Sequence, residues 1–204
     1  MKLLLMSLFD WFGSGITTFG FLKEYKIKEG DIVIDCGAYL GFFAIYAAKK
    51  AGEKGRIFAF EPDPKNYKIL ERNVSLSGQK NITIINKALF NKTGNLSWNS
   101  SSTRSSYKNN GPEENKVFCA TLDSELERLN INKVDFIKMD IEGAEIEALE
   151  GAKDTMIKTS SMAIACYHKR NGITTNKILE PILKKIGFAL RVGFFLHPTL
   201  YCKK

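Results

Sequence analysis

The sequence predicts an α/β domain built on a mostly parallel sheet, and three observations carry that prediction. Short β-branched runs alternate with helical stretches from Asp31 onward. After a polar interval from Asn91 to Asn115 the same alternation resumes. The chain has 204 residues, 44% of them apolar and 25% charged, which is enough to bury one core without disulfide or metal staples. Strand, helix and strand at this spacing imply right-handed crossovers with helices on both faces of the sheet.

Taken in order, Asp31-Ile-Val-Ile-Asp-Cys36 reads as a buried strand between Glu29-Gly30 and Gly37. Gly41 to Ala51 is Ala-rich and reads as a helix closed by Gly52. Arg56 to Phe60 is a second strand ending at Glu61. Asp63-Pro64 supplies an N-cap and an N1 proline for a helix to about Leu76, with Tyr67, Leu70 and Val74 on its buried face. Ile82 to Ile85 is a third strand. Asn91 to Asn115 is too polar to bury a core and reads as a surface loop or hairpin tip.

Val134–Met139 then reads as a strand, Glu145–Glu150 as a helix ended by Gly151, and Ser161–Tyr167 as a further strand. Thr174 to Ile186 places Ile178, Leu179, Ile182, Leu183 and Ile186 on one helical face, with Pro181 expected to kink or restart the helix. Ala189–Phe195 and Thr199–Cys202 are joined tightly enough to form an antiparallel pair.

Composition sets limits on partners and compartment. Residues 1–152 hold 20 Lys/Arg against 20 Asp/Glu, whereas residues 153–204 hold 10 against 2 and supply the whole net charge of +8. Such asymmetry suits an acidic partner, or is simply a Lys-rich solvated surface. Four cysteines at 36, 119, 166 and 202 form no C-x-x-C pair and predict a reducing, cytoplasmic setting. His168 and His197 leave little room for a multi-histidine metal centre. No apolar run reaches transmembrane length. Residues 1–27 read as an apolar helical segment ahead of a single domain at 28–204; Leu3 to Phe9 is not followed by a cleavage pattern. The sharper alternative is peripheral membrane contact, with Trp11 and Phe12 at the interface.

The chemistry begins at Val33-Ile-Asp-Cys-Gly-Ala-Tyr-Leu-Gly41. Gly37 allows a sharp turn off the strand, and Gly41 lets the next helix approach a ligand closely. This is a topological switch point, where α/β sheets bind nucleotides on a helix N-terminus. The G-x-G-x-x-G spacing of a dinucleotide fold is absent, because Tyr39 stands where its second glycine would be. Asp35 would repel a pyrophosphate there and suits a cationic ligand group. Glu61, 24 residues after Gly37, can accept both ribose hydroxyls of a nucleoside. Asp140, in Phe136-Ile-Lys-Met-Asp-Ile-Glu-Gly-Ala-Glu145, falls at a third strand end with Glu142 just beyond. The plainer reading of Glu142 and Glu145 is that they favour the following helix N-terminus, and for Glu145 that reading is preferred.

In this order VIDCGAYLG, AFEPDP, NKAL, TLD and FIKMDIEGAE closely resemble the FkbM family of S-adenosylmethionine-dependent methyltransferases, over roughly residues 28 to 192. The resemblance implies a Rossmann-like class I methyltransferase fold: a seven-stranded, mostly parallel sheet with a final antiparallel strand. Its better-known members methylate hydroxyl oxygens. The cofactor implied is S-adenosyl-L-methionine. By the same resemblance Asp35 would sit by the methionine end, Gly37, Ala38, Tyr39 and Gly41 would line the cofactor through their backbone, and Glu61 would hold the ribose. Ala88 would lie near the adenine, and Asp140 would close the methionine side and face the methyl. Tyr39 departs from the family pattern, where Asn is typical.

Methyl transfer from a sulfonium is an in-line displacement, so positioning does much of the work. A hydroxyl acceptor also loses a proton, and His168, at the end of Ala163-Ile-Ala-Cys-Tyr-His168, is the candidate base, with Asp140 or Glu142 assisting. Two carboxylates and one histidine are too generic a set to assign a metal. Asp140-Ile-Glu-Gly lacks the (N/D)-P-P-(Y/F) of methyltransferases acting on amide or base nitrogens. A small-molecule, glycan or lipid acceptor is therefore favoured. RNA is an alternative motivated by the basic C-terminal region, and a non-catalytic nucleoside-binding module is another. The 91–115 interval, with Trp98 and Tyr107, is a candidate substrate lid and equally a tolerated surface insertion.

Overall fold

The computed structural model describes residues 18–99, 106–107 and 116–204. A seven-stranded sheet forms its centre: β1 (Ile32–Cys36), β2 (Arg56–Phe60), β3 (Ile82–Ile85), β8 (Val134–Met139), β9 (Thr159–Ala165), β12 (Ala189–Gly193) and β13 (Thr199–Lys203). Their spatial order is β12-β13-β9-β8-β1-β2-β3. β3, β2, β1, β8 and β9 run parallel, while β13 inserts antiparallel between β9 and β12. The expected antiparallel pair is present, and the fold is the Rossmann-like arrangement of a class I methyltransferase.

Two apolar layers sandwich the sheet. On one face α1 (Phe42–Ala51) presents Phe43, Ala44, Ala47, Ala48 and Ala51, all buried against the Val33, Ile57, Ala59 and Phe136 side of the strands. Alanines let this helix lie close to the sheet, which brings its N-terminus near the end of β1. On the same face Leu70 of α2 (Pro64–Ser77) packs without exposure. The opposite face carries α3 (Leu122–Arg128), α4 (Glu145–Glu150), α5 (Lys153–Ile157) and α6 (Thr175–Lys185), which bury Leu126, Leu149, Met156 and Leu183 against Ile34, Phe58 and Ile137. All six residues of β8 are buried, as expected for a strand covered on both faces.

Several boundaries differ from the sequence expectation for identifiable reasons. The Asp63 carboxylate caps α2 by accepting from Lys65 N at 2.8 Å and Asn66 N at 3.1 Å, as the motif predicts. On that helix, however, Tyr67 and Val74 are half-buried, and the polar Asn73 takes the fully buried place. Pro181 lies inside α6 without ending it; Leu179 and Leu183 are buried, whereas Ile182 faces outward. β9 starts at Thr159 and ends at Ala165, two residues earlier at each end than expected. β12 stops at Gly193 because Phe194 adopts a φ of 60°.

The 91–115 interval is more ordered than a loop. β5 (Gly94–Asn99) and β7 (Lys116–Ala120) pair antiparallel, and with β4 (Ala88–Leu89) and β6 (Ser106–Tyr107) they make a second, four-stranded sheet in the order β4-β7-β5-β6. Trp98 and Tyr107 are partners in register. The remaining interval residues, 100–105 and 108–115, lie outside the described residues, as does the apolar segment through residue 17. Residues 18–21 are helical, and Phe21 is buried. No described helix is long and apolar enough to cross a membrane.

Candidate active site

The carboxyl ends of β1, β2 and β8 bring the chemistry-bearing residues together. β1 leaves the sheet through Gly37, at φ 80°. A Cβ there would run into the carbonyl oxygen of Asp140, so only glycine lets the loop pass against the end of β8. Tyr39 (φ 51°) and Gly41 (φ 91°) complete a turn with two further left-handed residues. Asn tolerates that conformation better than Tyr. The Asn73 side chain, buried in α2, donates to Leu40 O at 2.8 Å and ties the loop down.

Glu61 closes this loop from the second strand. Its Oε2 accepts from Tyr39 N at 2.8 Å, and its Oε1 accepts from Asp63 N at 2.9 Å. Burial pushes the carboxyl up to about 7 despite those two hydrogen bonds. Gly37 N and Ala38 N both donate to Phe60 O, at 3.0 and 2.8 Å. Ala88 opens β4 in a small apolar cluster with Cys119, Ala144 and Ile141.

Asp35 is sealed from solvent, and its carboxylate lies 2.9 Å from Lys138 Nζ. Burial pushes this carboxyl above its ordinary value, and Lys138 opposes the rise. Lys138 Nζ also donates to Gly37 O at 2.5 Å, so the ion pair holds the glycine loop from beneath. Asp140, one residue past β8, is partly open. Its Oδ1 accepts from Tyr167 Oη at 3.3 Å, and its Oδ2 lies 3.5 Å from His197 Nε2. Burial alone would raise Asp140, but the His197 hydrogen bond and the charges of Lys138, His197 and His168 outweigh it and hold the carboxyl below its ordinary value.

Beyond Asp140 the chain turns through Glu142 (φ 55°) and Gly143 (φ 99°) into α4. His168 bridges this turn, with Nε2 3.1 Å from Glu142 Oε2 and Nδ1 3.3 Å from Glu145 Oε1. Burial opposes a charge on the ring, yet the two carboxylates push His168 up to about 9. Glu145 is fully buried and also accepts from Gly143 N at 3.1 Å, so it braces the turn as well as starting α4. Arg170, from the short hairpin of β10 (Lys169–Arg170) and β11 (Ile173–Thr174), donates to Glu147 Oε1 at 2.7 Å and to Gly143 O at 2.9 Å.

The structure thus gathers Asp35, Gly37, Ala38, Tyr39, Gly41 and Glu61 on one side of Asp140, and Glu142 and His168 on the other. Lys138, Asn73, Tyr167 and His197 belong to the same neighbourhood and are absent from the sequence-based set. Among the described residues no cluster of three or more His, Cys, Asp and Glu side chains is arranged to hold a metal ion. A cavity of about 150 Å³ lined by Tyr25, Phe136, Arg191 and Lys203 lies at the opposite edge of the sheet, away from these groups.

Residues 35–188 match the Methyltransferase FkbM domain, a span that starts at Asp35 and leaves His197 outside it. The chain belongs to the FkbM methyltransferase family. This FkbM protein is 26% identical over 198 residues to "Methyltransferase sdnD" of Sordaria araneosa, covering 80% of this chain and 75% of that one. It is 26% identical over 133 residues to "Hexuronic acid methyltransferase AglP" of Haloferax volcanii, covering 64% of this chain and 54% of the relative. Among solved structures, Aeropyrum pernix fibrillarin in complex with natively bound S-adenosyl-L-methionine superposes with a TM-score of 0.61 at 17% identity, over 93% of this chain and 74% of that one, which is a likeness of fold. The FkbM protein is an S-adenosylmethionine-dependent methyltransferase. Its donor set fits that cofactor: carboxylates that can accept from ribose hydroxyls and an ammonium, and a glycine turn that allows close backbone approach.

Proposed function

We propose that the protein methylates a hydroxyl oxygen of a small molecule, glycan or lipid. The observation that carries this reading is the acidic acceptor edge, where Asp140, Glu142 and Glu145 surround His168. Carboxylates hydrogen-bond to hydroxyls and repel a phosphate backbone, which disfavours RNA as the acceptor. The relative named as a hexuronic acid methyltransferase adds support for a sugar.

In this reading the backbone from Gly37 to Gly41 lines the cofactor, Glu61 accepts from the ribose hydroxyls, and Ala88 lies by the adenine. Asp140 faces the methionine ammonium and the methyl group. S-adenosylmethionine supplies the sulfonium methyl when bound. Glu142 and His168 would hold the acceptor hydroxyl. His168 takes its proton in the neutral form of the ring, and Glu142 and Glu145 orient it.

Calorimetric titration with S-adenosylmethionine and S-adenosylhomocysteine, beside Glu61→Ala, tests the donor half. Micromolar binding that is lost in the variant is the expected result. A screen of hydroxylated sugars, amphiphiles and RNA for S-adenosylhomocysteine release tests the acceptor half. Turnover on RNA alone would overturn the acceptor reading, and release on none of them despite tight cofactor binding would favour a nucleoside-binding module.

A further inference from the structure

His197 lies outside the segment that matches the family domain and is carried in by the one antiparallel strand of the sheet. Thr199 pairs with Ala165, and Cys166 N donates to Pro198 O at 2.9 Å, so the same register sets residue 197 opposite Tyr167. The turn is fixed locally as well: His197 N donates to Phe194 O at 3.1 Å, and His197 O accepts from Thr199 Oγ1 at 2.8 Å. Phe21 and Tyr167 pack edge-on against the imidazole, with ring centroids 5.3 and 4.5 Å away. Among the described residues its Nδ1 is buried without a hydrogen-bond partner, and Asp140 is the one polar side chain that the ring engages. A histidine kept for packing alone would not direct its single polar contact at a strand-end carboxylate.

We infer that His197 is a positioning residue for cofactor binding: its Nε2 secures one oxygen of Asp140 while Tyr167 Oη secures the other, so the carboxylate meets the methionine ammonium in one orientation. The inference rests on the reading of Asp140 given above. The groups facing Asp140 are Lys138 on its own strand, Asp35 from β1, Tyr167 and His168 from the end of β9, and His197 from the approach to β13. Without His197 the carboxylate loses a neighbouring donor while remaining enclosed. It then takes up a proton more readily as the pH falls.

The test compares S-adenosylhomocysteine with methylthioadenosine, which lacks the amino-acid portion; both carry an uncharged sulfur and both carry the ribose, so proton uptake at Glu61 cancels in their affinity ratio. In the wild type this ratio stays constant from pH 5.5 to 8. In His197→Ala it is lowered, and more at pH 5.5 than at pH 8, and in His197→Gln, which keeps an N–H donor, it is lowered less. Unchanged methylthioadenosine affinity shows that the variants are folded. A ratio that is not lowered at any pH overturns the role of His197. An Asp140→Ala protein with an unaltered ratio overturns instead the reading of Asp140 on which it rests.

Discussion

Asp35 and Lys138 are register partners on adjacent parallel strands, and their side chains form a 2.9 Å ion pair closed off from solvent. The pair neutralises Asp35 and anchors the Gly37 carbonyl, whereas the neighbouring Asp140 carboxylate keeps accessible surface.

Breaking that pair from one side is costly. Lys138→Met strands a buried carboxylate and is expected to lower the unfolding free energy by about 3–5 kcal/mol, with most of the loss recovered in Asp35→Leu/Lys138→Met. Urea unfolding of the two variants measures both. A single variant within about 1 kcal/mol of the wild type would remove the pair from any structural role.

Gly37→Ala is expected to abolish cofactor binding. The added methyl group meets the Asp140 carbonyl, and the φ of 80° is strained for any other residue. Calorimetry should show no heat of S-adenosylmethionine binding. Gly30→Ala, whose φ is 83° but whose Cβ position is open, controls for backbone strain alone and should still bind.

Glu61 gives the cofactor affinity a pH dependence. Its carboxyl is pushed up to about 7, and in the proposed ribose contact the ionised form is the stronger acceptor for the hydroxyls. Affinity for S-adenosylmethionine should therefore rise about tenfold from pH 6 to 8, and Glu61→Gln should bind weakly at both. The same rise in Glu61→Gln would place the titrating group elsewhere. In the free protein the sign is opposite for stability: a carboxyl raised in the fold favours the folded state at low pH, and that contribution fades between about 4.5 and 7.

His168 predicts an alkaline optimum. With the ring pushed up to about 9, the neutral form that can accept a proton is scarce at pH 7, so the turnover rate should climb about tenfold per unit toward pH 9 and then level. A profile already flat from pH 7 would move the base role to Asp140 or Glu142. Stability follows the raised pKa as well. The paired imidazolium contributes about 1–3 kcal/mol below the unfolded pKa of roughly 6.5, and this is lost as pH rises through about 9. His168→Ala should therefore be more damaging at pH 6 than at pH 9.5 in urea unfolding.

The parts of this site that were legible in the sequence are those whose meaning is local. Gly37 and Gly41 flank a strand-to-helix turn, Glu61 and Asp140 end apolar runs, and Asp63-Pro64 announces its own cap. Lys138 gave no such signal, since a lysine in a buried strand reads as an error of pattern until its partner Asp35, on a neighbouring strand, is known. Asn73 and His197 depend likewise on which elements become neighbours. The available clue to His197 was its rarity, one of two histidines, placed just ahead of a strand expected to run antiparallel. An antiparallel strand begins at the edge where parallel strands end, so its first residues join the site. The second sheet was missed because its strands are short, and most of the residues between them are polar.

The insertion of β13 between β9 and β12 has a consequence for biosynthesis. β12 leaves the ribosome before β13, yet β13 is its only strand partner in the central sheet. A nascent chain that has emerged through β8 already carries the glycine loop, Glu61, Lys138 and the first strands to pair, whereas His168 and His197 come later. The Asp140 carboxylate thus emerges before the two side chains, Tyr167 and His197, that lie against its oxygens.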